Sequence, residues 1–326
     1  REQTQEWNLS SRVPSFFIHL CFARASGTSF TLHMTREASN CTTATNYALE
    51  GDIKDQPSVP AIQGPAGENG PFLELIRDRH TNVPSTILTK THCKGICARD
   101  DCGPWGGIET VRSFLMGCLS GVKAIEKEGE IVTEKVTYDV SLVKKAIHIF
   151  RHPLDNVVAR FHLDYHDQPL LGNTKFTKQF PRNATGFRRW CAQDDKTVFF
   201  FESRYTDDKM RDLMKSTPCM NEFYRYVQWH NLAFDTSRYL NLPTMMLHYH
   251  EYSENLEAAR DRVLDWLELP HVGPGEPFHT GKVYRHYYSL EQRRAIRAFL
   301  KEFASAETWE QLKDYDFDLP PEAAVS

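Results

Sequence analysis

The sequence predicts an α/β fold, a central parallel β-sheet flanked by helices, and three observations predict it. Short apolar runs, closed by turn or polar residues, alternate with longer stretches of helical apolar spacing. That alternation suits parallel strands covered on both faces. Several of the runs end in basic or histidine residues, at the place where an open α/β sheet binds its ligands.

Taken in order, the first strand lies within residues 13–22, whose apolar run Phe16-Phe17-Ile18 resumes at Leu20. A turn through Gly27 follows, then a short helix over 29–37. Residues 51–72, rich in Pro, Gly and Asp, are expected as a surface loop. Residues 86–90 form the second strand, ending at Thr91-His92, and 108–119 read as a helix carrying Phe114, Leu115 and Cys118. A third strand at 146–150 is closed by Arg151-His152-Pro153 and followed by a helix over 156–165. The apolar run 198–201 has no clear type. The second half is more helical, with helices over 221–239 and 256–267 on either side of a fourth strand at 244–249. Ser289 is placed to cap a further helix, with Glu291 and Gln292 in its first turn. A single domain over 13–318 accommodates these elements, between a stub at 1–12 and a tail at 319–326; no internal repeat appears.

The 326 residues are 40% hydrophobic and 25% charged with a net charge of −4, which fits a globular chain and disfavours a globally basic nucleic-acid binder. No apolar run approaches the ~18–20 residues that span a bilayer; the stretch 16–23 is interrupted by His19. The chain opens on Arg1, as expected of a terminus from which a targeting or anchoring segment has been removed. Eight cysteines and three glycosylation sequons, at Asn8, Asn40 and Asn183, point to the lumen of the secretory pathway. Cys93, Cys97 and Cys102 cluster beside His92 in an insertion over 93–118. Their spacing lacks a CxxC pair, so a disulfide-pinned loop is favoured over zinc.

Three strand ends carry the chemistry. At the first, Ser26-Gly27-Thr28-Ser29 joins a strand to a helix. Glycine lets backbone approach an anion, and the N–H groups and dipole of the next helix attract one. Arg24 adds a fixed charge. No Gly-Lys-Ser or Gly-Lys-Thr follows, which argues against an ATPase, and Ser-Gly-Thr alone often marks an ordinary turn. At the second, Lys90 and His92 sit two apart, so an extended strand points them the same way. One can hold charge while the other takes a proton; for an isolated Lys-x-His, a hydrogen bond to a loop is the commoner role. At the third, Arg151 leaves a strand just before a helix, suited to a second phosphate or to a salt bridge with Asp155. Arg182, Arg188, Arg189 and Trp190, in a loop-like stretch, and Arg204 with Tyr205 are candidates to grip an acceptor, although a solvated surface is the commoner case. The aromatic residues of 223–229 are assigned to the core.

In this order and at these separations, Ala25-Ser26-Gly27-Thr28-Ser29, Lys90-Thr91-His92 and Arg151-His152-Pro153 resemble the family of sulfotransferases that use 3′-phosphoadenosine 5′-phosphosulfate (PAPS). Softer matches are His248-Tyr249-His250-Glu251-Tyr252 and Thr280-Gly281-Lys282 with Tyr284 and Tyr287. The resemblance spans about residues 13 to 305 and implies a P-loop-type fold and a sulfotransferase that converts PAPS to PAP without a metal. It implies that His92 is the catalytic base and Lys90 its charged partner. Arg24 to Ser29, Arg151, Arg160, Gly281 and Lys282 would hold the nucleotide. The implied acceptor is a hydroxyl, on a glycan by preference over a small molecule or a protein tyrosine, in the Golgi lumen. The family has a basic residue where this chain has Ala25, and a serine where it has Ala159 with Arg160 beside it. A P-loop kinase and a non-catalytic nucleotide-binding relative are the competing classes.

Overall fold

The structure is a computed structural model that describes residues 16–21, 27–47, 60–61, 70–74, 85–93, 110–127, 130–202, 207–279 and 284–318. The chain begins with β1 (Phe16–Cys21), α1 (Thr28–Ser39), β2 (Thr43–Thr45), β3 (Phe72–Glu74) and β4 (Thr86–Thr91). It continues through α2 (Val111–Cys118), a hairpin of β5 (Ser120–Lys127) and β6 (Glu130–Thr137), and β7 (Val143–Phe150). Then come α3 (Pro153–Leu170), α4 (Phe176–Gln179), α5 (Ala184–Glu202), α6 (Asp208–Ser216) and α7 (Met220–Tyr239). Last are β8 (Thr244–His248), α8 (Glu251–Glu254), α9 (Leu256–Leu267), α10 (Leu290–Phe303) and α11 (Ala306–Leu312).

The class is mixed α/β. Six strands form one sheet in the order β3-β2-β4-β1-β7-β8. The pairs β1–β4, β1–β7, β2–β4 and β7–β8 are parallel, and β2–β3 at the edge is antiparallel. Alternation of side chains along the strands separates two cores. On one face Ile147, Ile149, Met245 and Leu247 pack with α1 and α9 through Leu32, Val263 and Leu264. On the other, Phe150 joins α3, α7 and α10 through Phe161, Phe223 and Phe299. The sheet is thus covered on both sides, which explains why β7 is buried along most of its length.

Local signals account for the element ends. Ser289 and Gln292 form the capping box that opens α10. His152 Nδ1 accepts the Leu154 N–H while its Nε2 lies 3.2 Å from the Asp316 carbonyl, so the ring caps α3 as the Nε2–H tautomer with Pro153 in the first turn. The α3 helix is longer at both ends than the periodicity suggests. Residues 198–201 belong to α5, and so do Arg188, Arg189 and Trp190, which were expected in a loop; the corrected placement follows from Asn183, whose Oδ1 accepts the Thr185 and Gly186 N–H groups that open the helix. Phe72, expected at the end of a loop, starts β3; most of 51–72 lies outside the described residues.

Two disulfides are present among the described residues. Cys93–Cys118 closes the ends of the cysteine-rich insertion, and Cys191–Cys219 joins α5 to the start of α7. The former settles the structural reading of Cys93; Cys97 and Cys102 lie outside the described residues. No described helix is long and apolar enough to cross a membrane.

Candidate active site

The chain first builds β2, β3 and β4 to one side of β1 and then β7 and β8 to the other. Such a reversal leaves a crevice beyond the carboxyl ends of the strands. Register aligns those ends: Cys21 lies beside Thr91 and His148, and Phe150 beside His248. A cleft of about 490 Å³ opens there.

The floor is made by Gly27, Thr28 and Ser29 at the start of α1. Gly27 has φ +100° and no side chain caps the helix, so the first-turn N–H groups are directed to the cleft end. A methyl group on Gly27 would lie 2.4 Å from Tyr249 Cδ2. Glycine is therefore required here both by conformation and by the tyrosine ring packed on it. The Thr31 side chain donates to the Gly27 carbonyl at 3.1 Å and meets the Tyr252 hydroxyl at 2.7 Å, fixing the loop's exit to the residues after β8.

On one side β4 delivers Lys90 and His92, both of which line the cleft as their spacing predicts. Lys90 is buried except for 6% of its surface, and its Nζ donates to Ser29 Oγ at 3.1 Å. The ammonium thus sits at the glycine loop. His92 is half-buried, just beyond the last strand residue, and its ring stacks on Tyr47.

On the other side Arg151 leaves β7, 6% exposed, with its guanidinium carbon 4.6 Å from the centre of the Tyr249 ring. The Tyr226 hydroxyl donates to its carbonyl at 2.8 Å. Asp155 accepts the Tyr284 N–H at 2.9 Å. The α3 face that lines the cleft repeats at helical spacing, Ala159, His162, Leu163 and His166. His162 contacts the Tyr284 and Tyr287 hydroxyls at 3.3 and 3.0 Å. Burial raises the Tyr284 pKa more than Arg151 and Arg182 lower it, so its hydroxyl stays protonated. Among the lining residues, the fixed cations Lys90, Arg151 and Arg182 face Asp167 as the acid. A cationic cleft in a chain of net charge −4 is a local arrangement suited to a polyanion.

Gly27, Thr28, Ser29, Lys90, His92 and Arg151 are thus gathered around one cleft. Arg24, Ala25, Ser26, Gly281 and Lys282 lie outside the described residues, as do Arg204 and Tyr205. Arg160, expected at the nucleotide, is turned to the buried carboxylate of Glu222, with Nε–Oε2 2.5 Å. One residue on a helix rotates direction by ~100°, so Arg160 does not share the side of Ala159. Burial pushes the Glu222 carboxyl up, but Arg160 and Arg225 outweigh it and hold the pKa below the ordinary value. Of the acceptor candidates, Arg182 reaches the cleft, whereas Trp190 is buried and donates to Asp164. The sequence reading missed Tyr47, Phe30, His162 and His166. Helical spacing from Ala159 could have found the last two; no sequence signal marks Tyr47.

The chain is therefore a mixed α/β protein with an anion-adapted cleft at its strand ends. No protein-family model matches it, and no curated protein matches it. Among solved structures, a sulfotransferase from Alicyclobacillus acidocaldarius is similar at a TM-score of 0.41 and 13% identity, covering 94% of this chain and 98% of that chain. At that score the superposition decides nothing about this chain, and the reading of the cleft rests on the contacts above.

Proposed function

We propose that this chain is a sulfotransferase of the PAPS-dependent kind, a single catalytic domain over residues 13–318, acting on an acceptor hydroxyl of a carbohydrate. One observation carries the reading: Gly27, His92 and Arg151, read from the sequence as three separate strand-end signals, line the same cleft. The nucleotide fits the residues present, because the left-handed Gly27 and the start of α1 make an anion cradle and Arg151, across the Tyr249 ring from Gly27, is a buried cation lining the same cleft. PAPS, when bound, supplies an activated sulfuryl group. The α1 N–H groups and Lys90 hold the 5′ end and stabilise negative charge on the leaving side. Arg151, braced by Tyr249, holds the 3′-phosphate. His92 takes the proton of the acceptor hydroxyl as it attacks. Arg24, Ser26, Gly281 and Lys282 are assigned to the nucleotide on the resemblance alone. The aromatic faces of Tyr47, Phe30 and Tyr284 and the charge of Arg182 suit a sugar acceptor. The disulfides and sequons support a lumenal, Golgi setting.

The test is transfer of labelled sulfate from PAPS to a panel of glycans, peptides and phenols, run beside labelled phosphate from ATP with Mg²⁺. Sulfate transfer is the expected result; phosphate transfer alone would assign a kinase, and PAP binding without transfer a non-catalytic relative. His92→Ala lowers kcat by ~10²–10⁴-fold while calorimetric PAP affinity stays within a few fold. Arg151→Ala weakens PAP binding by ~10- to 100-fold, the loss of a charge-assisted contact. Normal turnover in the first variant rejects the base, and unchanged affinity in the second rejects the phosphate ligand.

A further inference from the structure

We propose that Tyr47 is the positioning residue for His92, an inference that rests on the function proposed above only for its catalytic consequence. The ladder of β4 ends at Thr91, so the peptide groups of His92 have left the sheet and need partners elsewhere. Side chains from two remote elements supply them. The His92 N–H donates to Tyr47 Oη at 2.9 Å, and the Trp229 Nε1–H donates to the His92 carbonyl at 3.0 Å. Tyr47 also lays its ring against the imidazole, with centroids 5.1 Å apart and planes 27° from parallel. A single residue thus fixes both the backbone and the ring of His92.

Tyr47 is itself held. The preceding Asn46 donates its N–H to the Lys90 carbonyl at 3.0 Å and accepts the Val122 N–H at 2.8 Å. The Asn46 side chain donates to the Cys118 carbonyl at 2.8 Å, and the Tyr47 N–H donates to Thr45 Oγ1 at 3.1 Å. The same Cys118 carbonyl receives the Thr91 hydroxyl at 3.1 Å, and Cys118 is bonded to Cys93 directly after His92. The turn is therefore clamped before, at and after the imidazole. Trp229, in turn, is buried against Phe114 of α2. This much support is more than a loop histidine needs and is what a group held in one reactive orientation requires.

The experiment combines kinetics with the His92 signal in a proton–carbon correlation spectrum of histidine-labelled full chain, assigned by His92→Gln. Tyr47→Phe keeps the stacked ring and loses the hydroxyl. It retains the upfield ring-current shift of His92 and lowers kcat about 10-fold with donor KM within about twofold. Tyr47→Ala abolishes the shift, moves the His92 titration midpoint and lowers kcat further, again with little change in donor KM. Trp229→Phe, which keeps an aromatic ring against Phe114, reproduces the Tyr47→Phe pattern if the backbone clamp is what matters. A Tyr47→Ala chain that loses only thermal stability, with the His92 shift, titration and kcat all retained, overturns the proposal. If the wild-type chain neither binds PAP nor transfers sulfate, the function above fails, and the spectrum still decides whether Tyr47 orients His92.

Discussion

Gly27 is coupled to Arg151 through one ring. The Tyr249 side chain packs where a Gly27 Cβ would be, and its ring also meets the Arg151 guanidinium. Gly27→Ala therefore does two things: it places an L-residue at φ +100°, at ~1–2 kcal/mol, and it pushes Tyr249 off its place under Arg151. PAP affinity measured by calorimetry should fall at least ~10-fold. In a Tyr249→Ala background the same change should cost less, because the ring it strikes is gone, so the double-mutant cycle is non-additive. Additive losses would show that the ring does not transmit the effect. Most of this site could be read from the sequence because its members sit at strand ends marked by short motifs. Tyr47 and Tyr249 could not be assigned roles that way. Their contacts join segments far apart in the chain, and an aromatic residue in a loop has no periodicity to give it away. Arg160 failed as an expectation for a related reason: the buried Glu222 that claims it is 62 residues away.

Elements were legible in proportion to the length of their pattern. The α9 helix and the capping box of α10 follow directly from apolar spacing and from Ser289 with Gln292. The three-residue strands β2 and β3 are too short to show alternation. The β5–β6 hairpin is rich in Lys and Glu, which hides it in the sequence; its strands pair antiparallel from Ser120 opposite Thr137 to Lys127 opposite Glu130. The helix pair α5–α7 carries its own prediction. Cys191–Cys219 crosses 28 residues of chain, and closing a loop of that length restricts the unfolded state by ~3–4 kcal/mol. Both cysteines lie in the α3–α7–α10 core and neither lines the cleft. Replacing both with Ala should lower the unfolding free energy in urea by about that amount while PAP affinity stays within about twofold of wild type. A comparable loss of affinity would mean that α7 transmits strain to Arg151, whose carbonyl accepts the hydroxyl of Tyr226 on that helix.

At the scale of the whole molecule, two-sided burial of the sheet sets the response to acid. His148 and His230 project from β7 and α7 into the same core: His148 Nε2 lies 3.2 Å from Ser237 Oγ, and the His230 ring stacks on Phe150 at 4.0 Å. Burial pushes the pKa of His148 down to about 4 and depresses those of His152, His230 and His248 as well. An unfolded chain protonates these rings below pH ~6.5, whereas the folded chain does so only at lower pH, so stability is full above that value and is lost as pH falls toward 4. For His148 alone the difference is on the order of 3 kcal/mol. Asp195 acts in the opposite sense. Burial raises its carboxyl to about 6, so the folded state holds a proton there that the unfolded state releases down to pH ~3.8, and stability rises as pH falls through that window. The two shifts are of similar size and nearly cancel; Asp194, also raised by burial, adds to the opposing side, and the depressed His152, His230 and His248 outnumber it in setting the sign. The unfolding free energy in urea should decline between pH 7 and 4.5. His148→Gln should flatten that decline, and Asp195→Asn, which removes the opposing group but keeps an oxygen to accept the Asn221 N–H, should steepen it. A decline that Asp195→Asn leaves unchanged would show that this α5 carboxyl is ionised in the folded protein and that its burial against the start of α7 is offset by partners strong enough to erase the shift.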